Sequence, residues 1–160
     1  DASEELISEA RKNYPNTKFH IYDALRMPLP TNYFDKAYAI AILHHIPSKE
    51  LRLKFLKEAK RVVRQDGLLI LTVWNLWNWQ GFRLILKHLF LKIIGKSKLD
   101  FKDVFVPWAS SCQRYIHVFS KKELKQLVEE AGFKVKKIGV LGADKRKSKN
   151  FYIVAEDISP

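Results

Sequence analysis

Between Phe34 and Asn75 the hydrophobic pattern of the chain changes period twice. Residues 36–43, Lys-Ala-Tyr-Ala-Ile-Ala-Ile-Leu, are apolar at almost every position, which predicts a parallel strand covered on both faces rather than a half-exposed antiparallel one. His44, His45, Ile46 and Pro47 follow, then Ser48 as an N-cap with Glu50 in the first helical turn, where the helix dipole favours a carboxylate. Leu51, Phe55, Leu56, Ala59, Val62 and Val63 recur at helical spacing while Arg52, Lys57, Lys60, Arg61 and Arg64 fill the other face. Asp66-Gly67 is expected to stop the helix, with Gly as the left-handed residue. The chain then enters a second apolar strand, 68–74. The stretch predicts one βαβ unit, and in an open α/β sheet ligands sit at the carboxyl ends of the strands. His44, His45, Trp74 and Asn75 lie there.

The flanks read in the same way. Ser3, Glu4 and Glu5 open a helix with Leu6, Ile7 and Ala10 on one side, and 17–22 alternates as a strand with Phe19 and Ile21 on one face. Downstream, Ser120 and Glu123 form a capping box; Leu124, Leu127, Val128 and Ala131 make the apolar stripe and Gly132 ends the helix. Residues 134–141 and 151–155 predict a closing antiparallel pair. The loop between them carries four Lys or Arg against Asp144.

The segment from about 76 to 104 adds a basic amphipathic insertion. From Leu76 to Lys102 there are six Lys or Arg (83, 87, 92, 96, 98, 102) against Asp100. Such a helix suits a membrane surface or nucleic acid, and equally a lid packed on the sheet. Trp74, Trp77 and Trp79 fall together near a strand's carboxyl end, as a stacking surface or as packing under a lid.

Composition bounds the rest. The chain has 160 residues, 47% of them hydrophobic, enough for one domain with its own core, and no linker or repeat divides it. A formal charge of +12 favours a polyanionic partner such as RNA or an anionic membrane, although a basic proteome gives the same balance without any binding role. Cys112 is the single cysteine, which excludes a disulfide framework, and the adjacent His44 and His45 diverge with no Asp, Glu or Cys at ligand spacing, so no metal site is expected. No apolar run reaches the ~20 residues of a membrane span and no signal peptide is seen, so stable membrane insertion is not expected and a cytoplasmic location is.

The order of Phe34-Asp35, the apolar strand, Leu43-His44-His45, the basic helix, Asp66-Gly67 and the next strand resembles the second half of a class I S-adenosylmethionine-dependent methyltransferase. The resemblance implies an α/β, Rossmann-like sheet with an antiparallel last strand. It also implies a cofactor, S-adenosyl-L-methionine. Asp1, followed by Ala2-Ser3, matches the acid that bonds the ribose hydroxyls; Asp23 and Ala24, followed by Leu25, match the adenine-reading positions; Ala39 and Ile40 match the strand beneath the cofactor. The family's glycine-rich loop has no counterpart, since no glycine precedes Gly67. On this reading the sheet lacks its first two strands, and unpaired strand edges cost on the order of 1–3 kcal/mol per buried group. The chain is therefore expected to be a fragment of a longer chain or half of a split protein, the alternative being a self-sufficient rearranged domain.

A narrower resemblance rests on Val106-Pro107-Trp108, the Arg114-Tyr115-x-His117-x-Phe119 run, His44-His45 and Val73-Trp74, which look like the tRNA wobble-uridine carboxymethyl methyltransferases. That family converts a carboxymethyl group on the anticodon uridine of tRNA to its methyl ester and binds a small zinc-ribbon activator protein. Carried over, it makes His44, Arg114 and His117 the catalytic candidates, with Arg114 gripping a carboxylate or phosphate; His45 anchors its loop to backbone. Trp74, Asn75 and Tyr115 become substrate-binding candidates. A carboxylate nucleophile is already ionised at neutral pH, so alignment and exclusion of water would be the main tasks. Two other functions fit the same residues: methylation of a lipid or quinone, with 77–94 as membrane contact, and a non-catalytic RNA-binding module.

Overall fold

The computed structural model describes residues 1–95, 99–108, 112–142 and 150–158. Lys96 and Lys98 of the basic insertion and the basic loop 143–149 lie outside them. The predicted βαβ unit forms: β1 (Phe34–Ile40), a short 3-10 turn (Leu43–His45), α2 (Lys49–Val62) and β2 (Val63–Trp74), preceded by α1 (Glu4–Asn13). After it come α3 (Trp79–Ile93), β3 (Asp103–Trp108), β4 (Cys112–His117), α4 (Lys121–Glu130), β5 (Phe133–Leu141) and β6 (Asn150–Asp157). The main sheet has the order β1-β2-β6-β5, with β1 and β2 parallel and β6 antiparallel to both its neighbours; β3 and β4 form a separate hairpin. One parallel pair with an antiparallel closing pair is the expected α/β arrangement.

Side-chain alternation places the core. Ala39, Leu69, Leu71, Val73, Phe151, Ile153 and Ala155 meet Phe55, Leu56 and Ala59 of α2 and Leu124, Leu127 and Val128 of α4. Full burial of a side chain of this size is worth roughly 1.5–3 kcal/mol. Lys60 of α2 pairs with the buried Asp157 of β6, and Lys49 with Glu130 of α4, so charges tie the helices to the sheet and to each other.

The capping residues do what their types predict. Ser3 Oγ accepts from Leu6 N–H at 3.2 Å, Ser48 Oγ from Leu51 N–H at 3.3 Å, and Ser120 with Glu123 closes the capping box. Gly132 has φ +94° and ends α4.

Three expectations are corrected. Residues 17–22 form no strand; their backbone bonds go to α1, its end and the amino terminus, Thr17 N–H to Tyr14 O, Arg11 Nη2 to Phe19 O and Tyr22 N–H to Asp1 O, each at 3.0 Å, and alternation without a paired strand does not make a sheet. The helix α2 ends at Val62, and Asp66, not Gly67, takes the left-handed conformation (φ +58°). Gly67 is needed for space, since a Cβ there would lie 2.6 Å from Val63 Cγ1 and 2.8 Å from Arg64 O. Finally, β1 is not covered on both faces, because Tyr38 and Ile40 are exposed.

Candidate functional site

Chain geometry at the carboxyl ends of β1 and β2 builds the site. Beyond Ile40 the chain turns sharply at Ala41, which takes φ +56° and donates its N–H to the carbonyl and hydroxyl of Thr72 at 3.0 and 3.1 Å. A side chain in the left-handed region is strained, and here two bonds to β2 hold it. The turn delivers Leu43, His44 and His45 against Trp74, the last residue of β2. His45 Nδ1–H donates to Tyr115 O at 3.1 Å, fixing the loop to the hairpin, as the backbone-anchor reading of this residue expects.

His44 is the exceptional residue. It is 0% exposed, and neither ring nitrogen has a hydrogen-bond partner among the described residues. Burial, then the neighbouring His45 and Arg114, lower its pKa from the ordinary value to about 3. The ring is therefore neutral at physiological pH, with one donor and one acceptor uncommitted. Its centroid lies 4.1 Å from that of His45 and 5.1 Å from that of Trp74. Native structures rarely leave such groups unsatisfied, and an orphaned pair marks a place where a ligand group or water is received.

Arg114 approaches from the hairpin. Its guanidinium stacks 3.3 Å above the Trp108 ring, and Trp108 in turn lies 6.5 Å from Trp74. Arg114 makes no ion pair with any described carboxylate, so its fork of donors is available. The assembled surface is Arg114, Trp108, Trp74 and His44.

Strand pairing separates this surface from the other predicted residues. Val104, Val106 and Trp108 stand opposite Ile116, Arg114 and Cys112, whereas Asp103 and Phe105 stand opposite His117 and Tyr115. Successive side chains point to opposite faces, so Arg114 lies on one face of the hairpin and Tyr115 and His117 on the other. Both rings of that second face are already engaged. His117 is 3% exposed; Nδ1 meets Asp103 Oδ1 at 2.6 Å and Nε2 meets Glu123 Oε1 at 2.7 Å. Burial alone would lower its pKa, but the two carboxylates outweigh it and hold the ring above the ordinary histidine value. Glu123 is drawn down to about 2: burial opposes this, and the bonds from His117 and Lys102 prevail. The Tyr115 hydroxyl accepts from Arg52 Nη1 at 3.2 Å and is pushed up to about 12, by burial first and then by Asp103. Of these groups Arg52, His117 and Glu123 border a hollow of about 630 Å³ that Asp100 and Phe119 also line. The structure thus takes His117 and Tyr115 out of the surface that holds His44 and Arg114 and places them in a structural ion network.

Of the remaining candidates, Asn75, Asp1 and Asp23 occupy polar turns and Ala39 and Ile40 end β1. Asn75 Oδ1 accepts from Trp77 N–H at 3.0 Å, a local turn bond. Asp1 Oδ1 accepts from Ser3 N–H and Asp23 Oδ1 from Leu25 N–H, both at 2.9 Å. The Tyr22–Asp1 backbone bond brings the two acidic turns side by side. Ala39 is buried in the core and Ile40 is exposed beside the Ala41 turn. Arg61 and Glu58 hold the segment after Asp23: Arg61 donates to Leu29 O at 2.8 Å and Met27 O at 2.9 Å, and Glu58 accepts from Met27 N–H at 2.7 Å. Trp108, Arg61, Glu58 and Asp103 were not among the sequence candidates. Only the Arg61–Glu58 spacing of three on a helix was visible as a signal.

Comparison with known proteins gives this arrangement a context. A family model described as a methyltransferase domain matches residues 1–71. A tRNA (carboxymethyluridine(34)-5-O)-methyltransferase of Schizosaccharomyces pombe is 29% identical over 159 residues, 85% of this chain and 62% of that protein. The Saccharomyces cerevisiae protein of the same name is 30% identical over 108 residues, covering 68% and 35%. The chain therefore spans less than two thirds of the length of these curated relatives. Among solved structures, a SAM-dependent methyltransferase of Methanosarcina mazei superposes with a TM-score of 0.83 at 20% identity, over 100% of this chain and 81% of that one. The 1,6-didemethyltoxoflavin-N1-methyltransferase of Burkholderia thailandensis, with bound S-adenosylhomocysteine, superposes at 0.63 and 16% identity, over 95% of this chain and 56% of that one.

Proposed function

We propose that the chain is a class I S-adenosylmethionine-dependent methyltransferase and that its activity is transfer of a methyl group to tRNA, esterifying a carboxymethyl group on the wobble uridine. The observation that carries this reading is the Arg114 guanidinium, held on Trp108 with no carboxylate partner among the described residues, beside a buried His44 whose ring nitrogens have no partner among them either. A planar fork beside aromatic rings suits an acidic group attached to a base. The names of the yeast relatives, both tRNA (carboxymethyluridine(34)-5-O)-methyltransferases, support this choice of substrate.

S-adenosyl-L-methionine, when bound, supplies a methyl group on a positively charged sulfur. The residues present suit its nucleoside: Asp1 and Asp23 each keep a carboxylate oxygen, which would hold the ribose hydroxyls and the exocyclic amine, and Ala24, Leu25 and Ile40 are the further residues that would border it. Arg61 and Glu58 keep the Asp23 segment in place. No glycine-rich loop is encoded before Gly67, so the chain's residues account for the nucleoside end alone.

Arg114 aligns the substrate carboxylate, which needs no general base because it is ionised at neutral pH. His44 stays neutral and acts as a hydrogen-bonding group rather than as a charged acid. Trp74 provides the stacking face, and Asn75 shapes the turn that leads from it to α3. Residues 1–160 act as a single domain with 76–104 as its basic insertion, and a small zinc-ribbon protein is the partner expected from the family.

The test is transfer of labelled methyl from S-adenosylmethionine to tRNA carrying carboxymethyluridine, by the 160-residue chain and by a form extended at its amino terminus from the same locus. A methyl ester is cleaved by mild alkali, so the expected product loses its label on such treatment. Alkali-stable label, or label found in a lipid extract instead, overturns the assignment.

A further inference from the structure

Helix α3 carries two apolar faces, and only one of them is used within the described fold. Leu84 and Ile85 pack onto Val104, Val106, Ile116 and Val118 of the hairpin region, and His88 Nε2 accepts from Phe105 N–H at 3.2 Å. The start of the helix is firmly set: Asn78 Oδ1 accepts from Gly81 N–H at 2.8 Å and Trp77 Nε1 donates to Phe119 O at 2.7 Å. A Cβ at Gly81 would lie 1.9 Å from Leu76 O, so only glycine fits this entry.

The second face is turned outward. Trp79, Phe82, Leu86, Phe90 and Ile93 are all exposed, Trp79 at 72% and Ile93 at 75%. At about 100° per residue they fall within an arc of about 80°, a single straight stripe along the helix. Five large apolar side chains in one exposed row exceed the scattered single residues normal on a protein surface. Arg83 and Lys87 run along one side of the stripe and make no ion pair among the described residues. No Asp or Glu lies between Asp66 and Asp100.

We propose that this face of α3 docks on the surface of an anionic lipid bilayer, with the helix lying in the interface plane. The charge pattern and the side-chain types together select that occupant. A second copy of the chain would set Arg83 and Lys87 against their own kind. RNA would satisfy those cations and stack on Trp79 or Phe82, but it has no surface for Leu86 and Ile93. A bilayer interface supplies acidic headgroups for the cations and acyl chains for the aliphatic and aromatic row, and a helix of this composition lies there without spanning. The helix has 15 residues, and no helix of the described residues is long and apolar enough to cross a membrane.

The experiment is sedimentation of the intact chain with vesicles of phosphatidylcholine alone and of phosphatidylcholine with roughly 30 mol % phosphatidylserine. Binding to the serine-containing vesicles with a blue shift of tryptophan emission is expected. Phe82→Glu with Phe90→Glu should lower that partition by about tenfold or more, and Arg83→Gln with Lys87→Gln should erase the preference for the acidic lipid. Leu86→Gln alone provides a milder second variant, and thermal melting confirms that each variant is folded. Partition unchanged by the apolar substitutions, or no binding to either vesicle, overturns the proposal. Retention on tRNA that is lost in the Phe82→Glu, Phe90→Glu variant, without vesicle binding, reassigns the face to RNA, and concentration-dependent dimers lost in that variant reassign it to a second copy. None of these outcomes depends on methyl transfer, so the proposed function stands or falls separately.

Discussion

The two faces of the β3–β4 hairpin are built from the same kinds of residue and do different things. On one face His117, Asp103, Glu123, Lys102, Tyr115 and Arg52 saturate one another, with four bonds between 2.6 and 3.2 Å. On the other, Arg114 rests on a tryptophan with no ion pair among the described residues, beside a histidine whose two nitrogens have no hydrogen-bond partner among them. A buried polar group with all its partners inside the fold contributes to stability and specificity. One with no partner is a cost that a ligand removes. The difference teaches that residue type alone does not identify a site here; the account of partners does.

The largest expected effect breaks the saturated face. Asp103→Ala leaves the His117 imidazolium buried with one carboxylate, and removing one partner of a buried pair costs about 3–5 kcal/mol. At about 2–4 °C per kcal/mol for a chain of this size the melting temperature should fall by roughly 10 °C, measured by circular dichroism. A fall of only a degree or two would show that the network is not structural. Arg114→Ala reverses the pattern. Methyl transfer to tRNA should drop about 100-fold, about 2.7 kcal/mol in the transition state, while melting and S-adenosylmethionine affinity stay the same.

Trp108 sharpens the contrast, because it reaches Arg114 and not the substrate. Trp108→Leu should lower transfer about tenfold through Arg114 alignment, chiefly in KM, since a cation–π contact of this kind is worth about 0.5–2 kcal/mol. Trp108→Phe should recover most of the loss. Equal loss in both variants would show that the indole itself touches the substrate.

How much of this was legible in the chain depends on the range of the interaction. The βαβ unit, the Ser120–Glu123 capping box and the β5–β6 pair follow from local periodicity, and the structure forms all three. The Arg114-Tyr115-x-His117 run looks like one cluster in the sequence, although positions 114 and 117 differ by an odd number and a strand sends them to opposite faces. That signal was present once 112–117 is a strand. The Asp103 partner was not, because it spans 14 residues and depends on hairpin register. Gly67 is required because a Cβ there would meet Asp35 O of the neighbouring strand as well as Val63 and Arg64, and the Asp35 contact is one that no local pattern encodes. The orphaned state of His44 belongs to the same class: a sequence shows a His, not its lack of partners.

A smaller effect is expected at His44 itself. Replacing two unsatisfied buried nitrogens by an apolar ring of similar shape, His44→Phe, should raise stability by about 1 kcal/mol while abolishing transfer. Loss of stability instead would mean that ordered water satisfies the ring.

The smallest effect is a pH dependence in which the two faces oppose each other. His117 has a folded pKa raised above its unfolded value, so its contribution is complete below about 6.5 and is lost as pH rises through the folded pKa. His44 is lowered to about 3. It resists a proton that the unfolded chain accepts, so stability falls as pH drops below about 6.5. His88, lowered by burial and then by Lys87, acts in the same sense as His44. The melting temperature should therefore pass through a maximum near the ordinary histidine range and decline on both sides. Asp103→Asn keeps an oxygen for the His117 ring but removes the charge that holds its proton. In that variant the alkaline decline should flatten and the acidic decline persist. A curve that keeps its alkaline limb would locate the titrating group away from the hairpin, and with it the claim that this face is held together by an imidazolium.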